Sequence, residues 1–190
     1  MDLTGQLREV LQRRSPATVH DEGAQRAAVA VIVTRDVQSA ILFVKRRERS
    51  GDPWSGQMAF PGGYASPDDA SPAATAERET LEETGLNLAA AGERLGALDD
   101  IHPRSVHLPR IIVTPCVFAV PGRLAVGPGP EVSAAVWLSV DDLMAAESRR
   151  PLDLLLPTGR QTFDSIRIEG YTIWGMTERV LSQLAGLLAP

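Results

Sequence analysis

Arg78-Glu79-Thr80-Leu81-Glu82-Glu83-Thr84-Gly85-Leu86 is the stretch on which the reading of this chain turns. On a helix, positions three and four apart share a face, so Glu79, Glu82 and Glu83 are expected to converge. At about 6 Å and an effective dielectric near 20, each carboxylate pair repels by about 3 kcal/mol before screening. The three also fall in the last turns, where the helix dipole disfavours negative charge. Arg78 reaches Glu82 at the next turn, but one cation does not neutralise three anions. A hard divalent cation would, since Mg²⁺ and Mn²⁺ favour oxygen ligands. The competing reading is a solvated acidic helix face, and the flanking sequence weighs against it.

Upstream, Ser71 stands where a helix is capped and Pro72 at the first helical position, with a helix expected over 73–84. Gly85 sits where helices commonly end in a left-handed residue. Before that helix comes Phe60-Pro61-Gly62-Gly63, a turn with little side-chain bulk. Backbone groups there can approach a phosphate or offer a carbonyl to a metal.

Residues 63–86 resemble the Nudix box, whose core reads Arg-Glu-apolar-x-Glu-Glu-x-Gly-apolar. Residues 78, 79, 82, 83, 85 and 86 match it, and Thr80 departs from it. The earlier box glutamate, eight residues before the arginine, falls on Ala70. Tyr64 stands where a common spacing has glycine, unless one extra residue follows Gly63, an insertion found in the coenzyme A-type branch. The resemblance implies an α/β fold, a Nudix-like α/β/α sandwich with a mixed central sheet. It also implies hydrolysis of a nucleoside diphosphate linked to another group. Carried over residue by residue, Glu79 and Glu83 are metal ligands, with Glu82 either a third ligand or the base that activates water. Arg78 orients the carboxylates, and the Gly63 carbonyl completes the coordination of Mg²⁺ or Mn²⁺.

The upstream run from Arg47 to Gly63 is similar to the coenzyme A diphosphatase signature. Arg47, Gly56, Phe60, Pro61, Gly62 and Gly63 match its spacing, while Glu48 replaces a small residue and Asp52 an arginine. Val113-Thr114-Pro115 and Tyr171-Thr172-Ile173-Trp174-Gly175-Met176-Thr177 look like later segments of that branch. Glu131, just before 132–138 and Trp137, resembles the late acidic element of Nudix domains; the alternative is a solvated loop glutamate. Coenzyme A or an acyl derivative is thus the first substrate choice. ADP-ribose, dinucleotides and nucleoside diphosphate sugars are alternatives. A Nudix-fold module that binds without turnover is the reading from another class, and the intact glutamate trio argues against it.

Lys45, Arg46, Arg47 and Arg49 form the densest basic cluster, either substrate-facing or solvated. Arg46 and Arg47 are taken with Gly62 and Gly63 as substrate-binding candidates. Trp54 either stacks on a base or pins its loop. His102 and His107 read as surface-loop histidines, or as an acid or substrate contacts, and Asp99 and Asp100 are similarly open.

The 190 residues suit one domain, with a helix over about 3–13 and another over about 176–188. Strands are expected at 27–34, 41–44, 93–99, 110–120 and 132–138, a loop over 50–63 and another over 120–130, a helix over 140–147, and a last strand or extended segment over 166–174. A hydrophobic fraction of 44% and a charged fraction of 23% are those of an ordinary globular chain. The net charge of −5 gives no long-range pull toward nucleic acid or an anionic membrane. No apolar run approaches the roughly 20 residues of a membrane span, and the first residues lack the apolar core of a signal peptide. Cys116 is the lone cysteine and reads as a buried strand residue, and a cytoplasmic location is the default expectation. The expected partner is a small nucleoside diphosphate derivative. A homodimer through the N-terminal helix or the last strands is an expectation from the resemblance alone.

Overall fold

The computed structural model describes residues 2–51, 55–103, 109–156 and 159–188. Asp52, Trp54, Arg104 and His107 lie outside the described residues.

The larger sheet is organised around β1 (Gln25–Thr34). Successive side chains of a strand point to opposite faces, and both faces of β1 are apolar. Ala28, Ala30 and Ile32 join one buried cluster with Ala73, Ala76 and Phe118, while Val31 and Val33 join a second with Leu7, Phe43 and Leu181. A strand covered on both sides is what its unbroken apolar run predicts. β1 runs parallel to β6 (Ile111–Val120) along its length. Its other partners are antiparallel, so the sheet is mixed.

On its other edge, β1 meets β2 (Ala40–Arg46) at Val33 and Ile41. Closer to its start, Ala27 to Val29 pair instead with β4 (Gly62–Tyr64). Beyond that meeting point β2 pairs with β3 (Met58–Ala59), and along its far side with β7 (Val132–Ser139). The two central strands therefore part, and β3 and β4 fill the wedge. β5 (Glu93–Ala97) completes the sheet beside β6, with a register shift between Arg94 and Gly96.

The helix α2 (Pro72–Thr84) covers the Ala28 face. Its ends form as the sequence predicts: the Ser71 hydroxyl accepts from the Ala74 amide at 3.2 Å, and Gly85, at φ +73°, donates its amide to Leu81 O at 2.9 Å. A single turn, α3 (Leu88–Ala91), follows. α1 (Leu3–Arg13) and α5 (Gly175–Leu188) cover the opposite face, burying Leu7, Leu11, Val180, Leu181 and Leu184. The result is the expected α/β/α sandwich around a mixed sheet.

Several elements differ from the sequence expectation. The loop over 50–63 contains β3 and β4, too short to show a period. The helix over 140–147 is α4 (Val140–Met144) followed by a 3₁₀ turn, Ala146–Ser148. The segment 166–174 is not one strand but parts of two. β8 (Arg149–Leu156), β9 (Gly159–Ile168) and β10 (Tyr171–Trp174) form a second, antiparallel sheet. Its last hairpin turns through Glu169 and Gly170, both at positive φ, as a two-residue hairpin turn requires. Among the described residues no helix is long and apolar enough to cross a membrane.

Candidate active site

The wedge between β1 and β2 delivers the Phe60–Gly63 turn to the C-terminal half of α2. Phe60 is buried and stacks on Phe43, their ring centroids 4.9 Å apart, and Pro61 O accepts from the Ala30 amide at 2.7 Å. These contacts hold the turn down on β1. A Cβ on Gly62 would lie 2.6 Å from Val29 Cα, and one on Gly63 would lie 2.6 Å from Glu79 Cδ. The two glycines are thus required by close approach, one to the sheet and one to a carboxylate. The Gly62 amide donates to Glu83 Oε2 at 3.0 Å.

Arg78 is the hub of the polar network. Its Nη1 donates to Glu79 Oε1 at 2.8 Å and lies 3.4 Å from both Glu82 oxygens, while Nη2 donates to Tyr64 O at 3.0 Å. Asp69 grips the guanidinium from the other side, accepting from Nε at 3.1 Å and from Nη2 at 3.0 Å. It also accepts from the Ser66 amide and the Thr75 hydroxyl. Asp69 was missed in the sequence reading. The acidic position of the box pattern falls on Ala70, and Asp69, one residue earlier, makes the contact with Arg78. Arg78, the Ser66 amide and Thr75 hold its carboxyl well below the usual carboxylate range. The Asp69 pair in turn raises the Arg78 guanidinium, so it is charged at any working pH.

Glu79 and Glu83 both face one cavity of ≈ 690 Å³. Burial raises Glu79, against the pull of Arg78. Burial also lifts Glu83 to about 7; the Gly62 amide and Arg46 oppose that rise, and the Glu79 charge adds to it. Arg46, Arg49 and Glu131 line the same cavity, and Arg49 Nη2 stands 3.4 Å from Glu131 Oε1. Much of its remaining wall is apolar: Val29 from β1, Ile111 and Val113 from β6, Met176 and Val180 from α5.

The structure brings together Glu79, Glu83, Glu131, Arg46, Gly62 and Gly63 and leaves two of the expected residues apart. Glu82 does not line the cavity; its side chain is 58% exposed. At 100° per residue Glu79 lies between its two neighbours, with Glu83 turned to the cavity and Glu82 to the solvent side. The three-way convergence expected from spacing is therefore not reached. Arg47 is exposed and outside the lining, where Arg49 takes part instead. Arg49 belongs to the basic run in sequence, but nothing in that run marks which of its members reaches the cavity.

Among the described residues no group of three His, Cys, Asp or Glu side chains already stands as a metal cage. The donor chemistry nevertheless fits a hard divalent cation. Glu79 and Glu83 offer oxygen donors, desolvated side by side, and burial pushes both toward protonation despite the nearby Arg78 and Arg46 charges.

The remaining candidates have structural partners. Asp99 accepts from the Ala17 amide and pairs with Arg14; Asp100 accepts from the Val19 amide and the Thr114 hydroxyl. Both tie the segment after α1 to the sheet. His102 Nε2 lies 3.4 Å from Asp21. Cys116 is buried, and burial pushes its thiol up to about 12, which disfavours the thiolate.

A family model described as the NUDIX domain matches residues 24–156. The chain is 31% identical over 183 residues to the uncharacterized Nudix hydrolase NudL of Salmonella paratyphi B, covering 90% of this chain and 86% of that one. It is 30% identical over 167 residues to an uncharacterized protein of Schizosaccharomyces pombe, covering 77% of this chain. The chain spans about half, 51%, of that yeast relative's length. In fold it is similar to the NUDIX domain of Shewanella oneidensis NrtR complexed with ADP ribose (TM-score 0.58, 18% identity, 95% of this chain and 97% of that one). A MutT/nudix family protein from Enterococcus faecalis is comparable (TM-score 0.57, 16% identity, 99% and 70%). At such identities the likeness concerns the fold alone.

Proposed function

The chain belongs to the Nudix hydrolase family, and from that premise we propose that it cleaves the diphosphate bond of a small nucleotide-derived substrate with the help of Mg²⁺ or Mn²⁺. One observation carries the proposal: Glu79 and Glu83 face the same cavity as Arg46 and Arg49, against a turn whose glycines leave room beside them. Carboxylates on one wall and guanidiniums on another are what a metal–diphosphate pair needs.

In this reading Glu79 and Glu83 hold the cation, with the Gly63 carbonyl as a further ligand and Glu82 either a third ligand or the base that activates water. When bound, the cation lowers the pKa of water and neutralises charge building on the bridging oxygen. Arg78 is a positioning residue, held by Asp69 and holding Glu79. Arg46 and Arg49 meet the phosphates, and Arg47 adds charge at the rim. Glu82 or Glu131 takes the proton of the attacking water, Glu82 standing at the solvent side and Glu131 at the cavity wall.

Coenzyme A or an acyl derivative is the first choice of substrate. The cavity's apolar side, from β1, β6 and α5, suits an uncharged arm attached to the diphosphate. ADP-ribose is the second choice, since a NUDIX domain of similar fold is complexed with it. Turnover of coenzyme A, acyl-coenzyme A, ADP-ribose, dinucleotides and nucleoside diphosphate sugars with Mg²⁺ and with Mn²⁺ ranks these. No phosphopantetheine from coenzyme A, with another diphosphate turned over, would replace the first choice. Binding of the whole panel without turnover would favour the non-catalytic module. A single domain, a cytoplasmic setting and a homodimer complete the proposal; sedimentation tests the last.

A further inference from the structure

The last carbonyls of a helix need partners from outside it. In α2 the Gly85 amide takes Leu81 O, and the carbonyls of Glu83 and Thr84 are met by the loop over 122–130. Gly129 donates its amide to Glu83 O at 2.7 Å, and Gly127 donates to Thr84 O at 3.0 Å. The loop that reads in sequence only as a Gly/Pro-rich connection therefore caps the carboxylate helix.

Gly129 sits unusually close. A Cβ there would overlap Glu82 O and stand 3.1 Å from Glu83 Cα. Both obstacles are backbone and cannot swing aside. Its φ is not in the left-handed region, so contact and not conformation demands glycine. Two residues later Glu131 lines the cavity, its own carbonyl accepting from the Arg47 amide at 3.1 Å. The Val132 amide closes the turn on Gly129 O at 3.3 Å, and Trp137 Nε1 donates to Leu124 O at 3.0 Å to pin the loop's other limb.

We propose that Gly129 is a positioning residue that fixes the separation between the α2 carboxylates and Glu131. The inference rests on the reading of Glu131 as a participant in the reaction. A short arm, from the Glu83 backbone through Gly129 and Pro130, sets where Glu131 stands. A methyl group at 129 must move that arm by ~1 Å, a displacement that costs ~100-fold where a reacting group is misplaced.

The test is a double-mutant cycle of G129A and E131Q, with G127A as control in the same loop. A Cβ at 127 meets nothing within 4 Å and the Gly127 amide survives, so G127A should match the parent. G129A should lower kcat by ~100-fold with KM changed less than ~3-fold, and add less than ~3-fold to the loss caused by E131Q. A residue that merely supported the fold would multiply the E131Q loss in full, and that outcome overturns the proposal alone. E131Q as active as the parent overturns the reading of Glu131 and this proposal together. Should thermal melts show that G129A does not fold, a glycine inserted between Pro130 and Glu131 leaves the cap intact and frees Glu131. That variant carries the same cycle with the same expected outcomes.

Discussion

Glu83 Oε2 accepts from the Gly62 amide at 3.0 Å, and this bond joins the end of the carboxylate helix to the turn between β3 and β4. The bond offsets only part of the cost of burying the group, since Glu83 titrates near 7 against an ordinary 4.5. Between those two pH values the folded protein holds a proton that the unfolded chain has released. Metal-free stability therefore falls as pH rises through that window, by about 3 kcal/mol from this group, and is flat beyond it. E83Q cannot ionise and escapes the loss. Urea unfolding in chelator at pH 5 and pH 8 should show the parent weakening relative to E83Q; parallel pH dependences would refute a buried, strained carboxylate.

Asp69 supports the site through Arg78. With two bonds from the guanidinium and further donors from the Ser66 amide and Thr75, it is an outer-layer orienter of the kind whose loss costs about 10- to 100-fold in activity or metal affinity. D69N keeps the shape but removes the charge, and kcat should fall in that range with KM little changed. D69E should recover part of the loss. Wild-type kcat in D69N would show that Arg78 needs no such support.

The sequence was most legible where one residue's chemistry determines the outcome. Ser71, Pro72 and Gly85 mark the ends of α2 because capping depends on local side-chain and φ preferences. The double-faced apolar run of β1 marks a central strand. Glu79 and Glu83 were found because helical spacing places i and i+4 together. Glu82 shares Arg78 with Glu79 but stands outside the cavity lining, because spacing shows which residues share a face but not which edge of that face meets the cavity. The β8–β9 hairpin was illegible: only Ser165, Ile166 and Ile168 of β9 are buried, so most of the strand carries no apolar alternation to read. Arg49 and Gly129 owe their places to long-range contacts with Glu131 and with the α2 backbone, which leave no periodic trace.

Glu82 and Glu79 should separate in kinetics. Glu79 faces the cavity and Glu82 faces solvent, beside Arg78. If Glu82 is the base, E82Q lowers kcat by at least ~100-fold while Mn²⁺ affinity holds within a few-fold. E79Q, in contrast, should weaken Mn²⁺ binding measured by calorimetry without substrate. Full turnover in E82Q would pass the role to Glu131.

Gly62 and Gly63 are adjacent, but their substitutions should fail differently. An alanine Cβ at 62 meets the β1 backbone, 2.6 Å from Val29 Cα, and nothing there can rotate away. G62A must lift the turn from β1, breaking the Ala30–Pro61 bond and the Glu83 contact together, so it should melt early and express poorly. At 63 the obstacle is the Glu79 carboxylate, the far end of a flexible side chain, 2.6 Å away. G63A should fold with a nearly unchanged melting temperature, yet bind Mn²⁺ at least ~10-fold more weakly because Glu79 is pushed from its place. Equal thermal losses in the two variants, or undiminished Mn²⁺ affinity in G63A, would show that Glu79 does not need the space that Gly63 leaves.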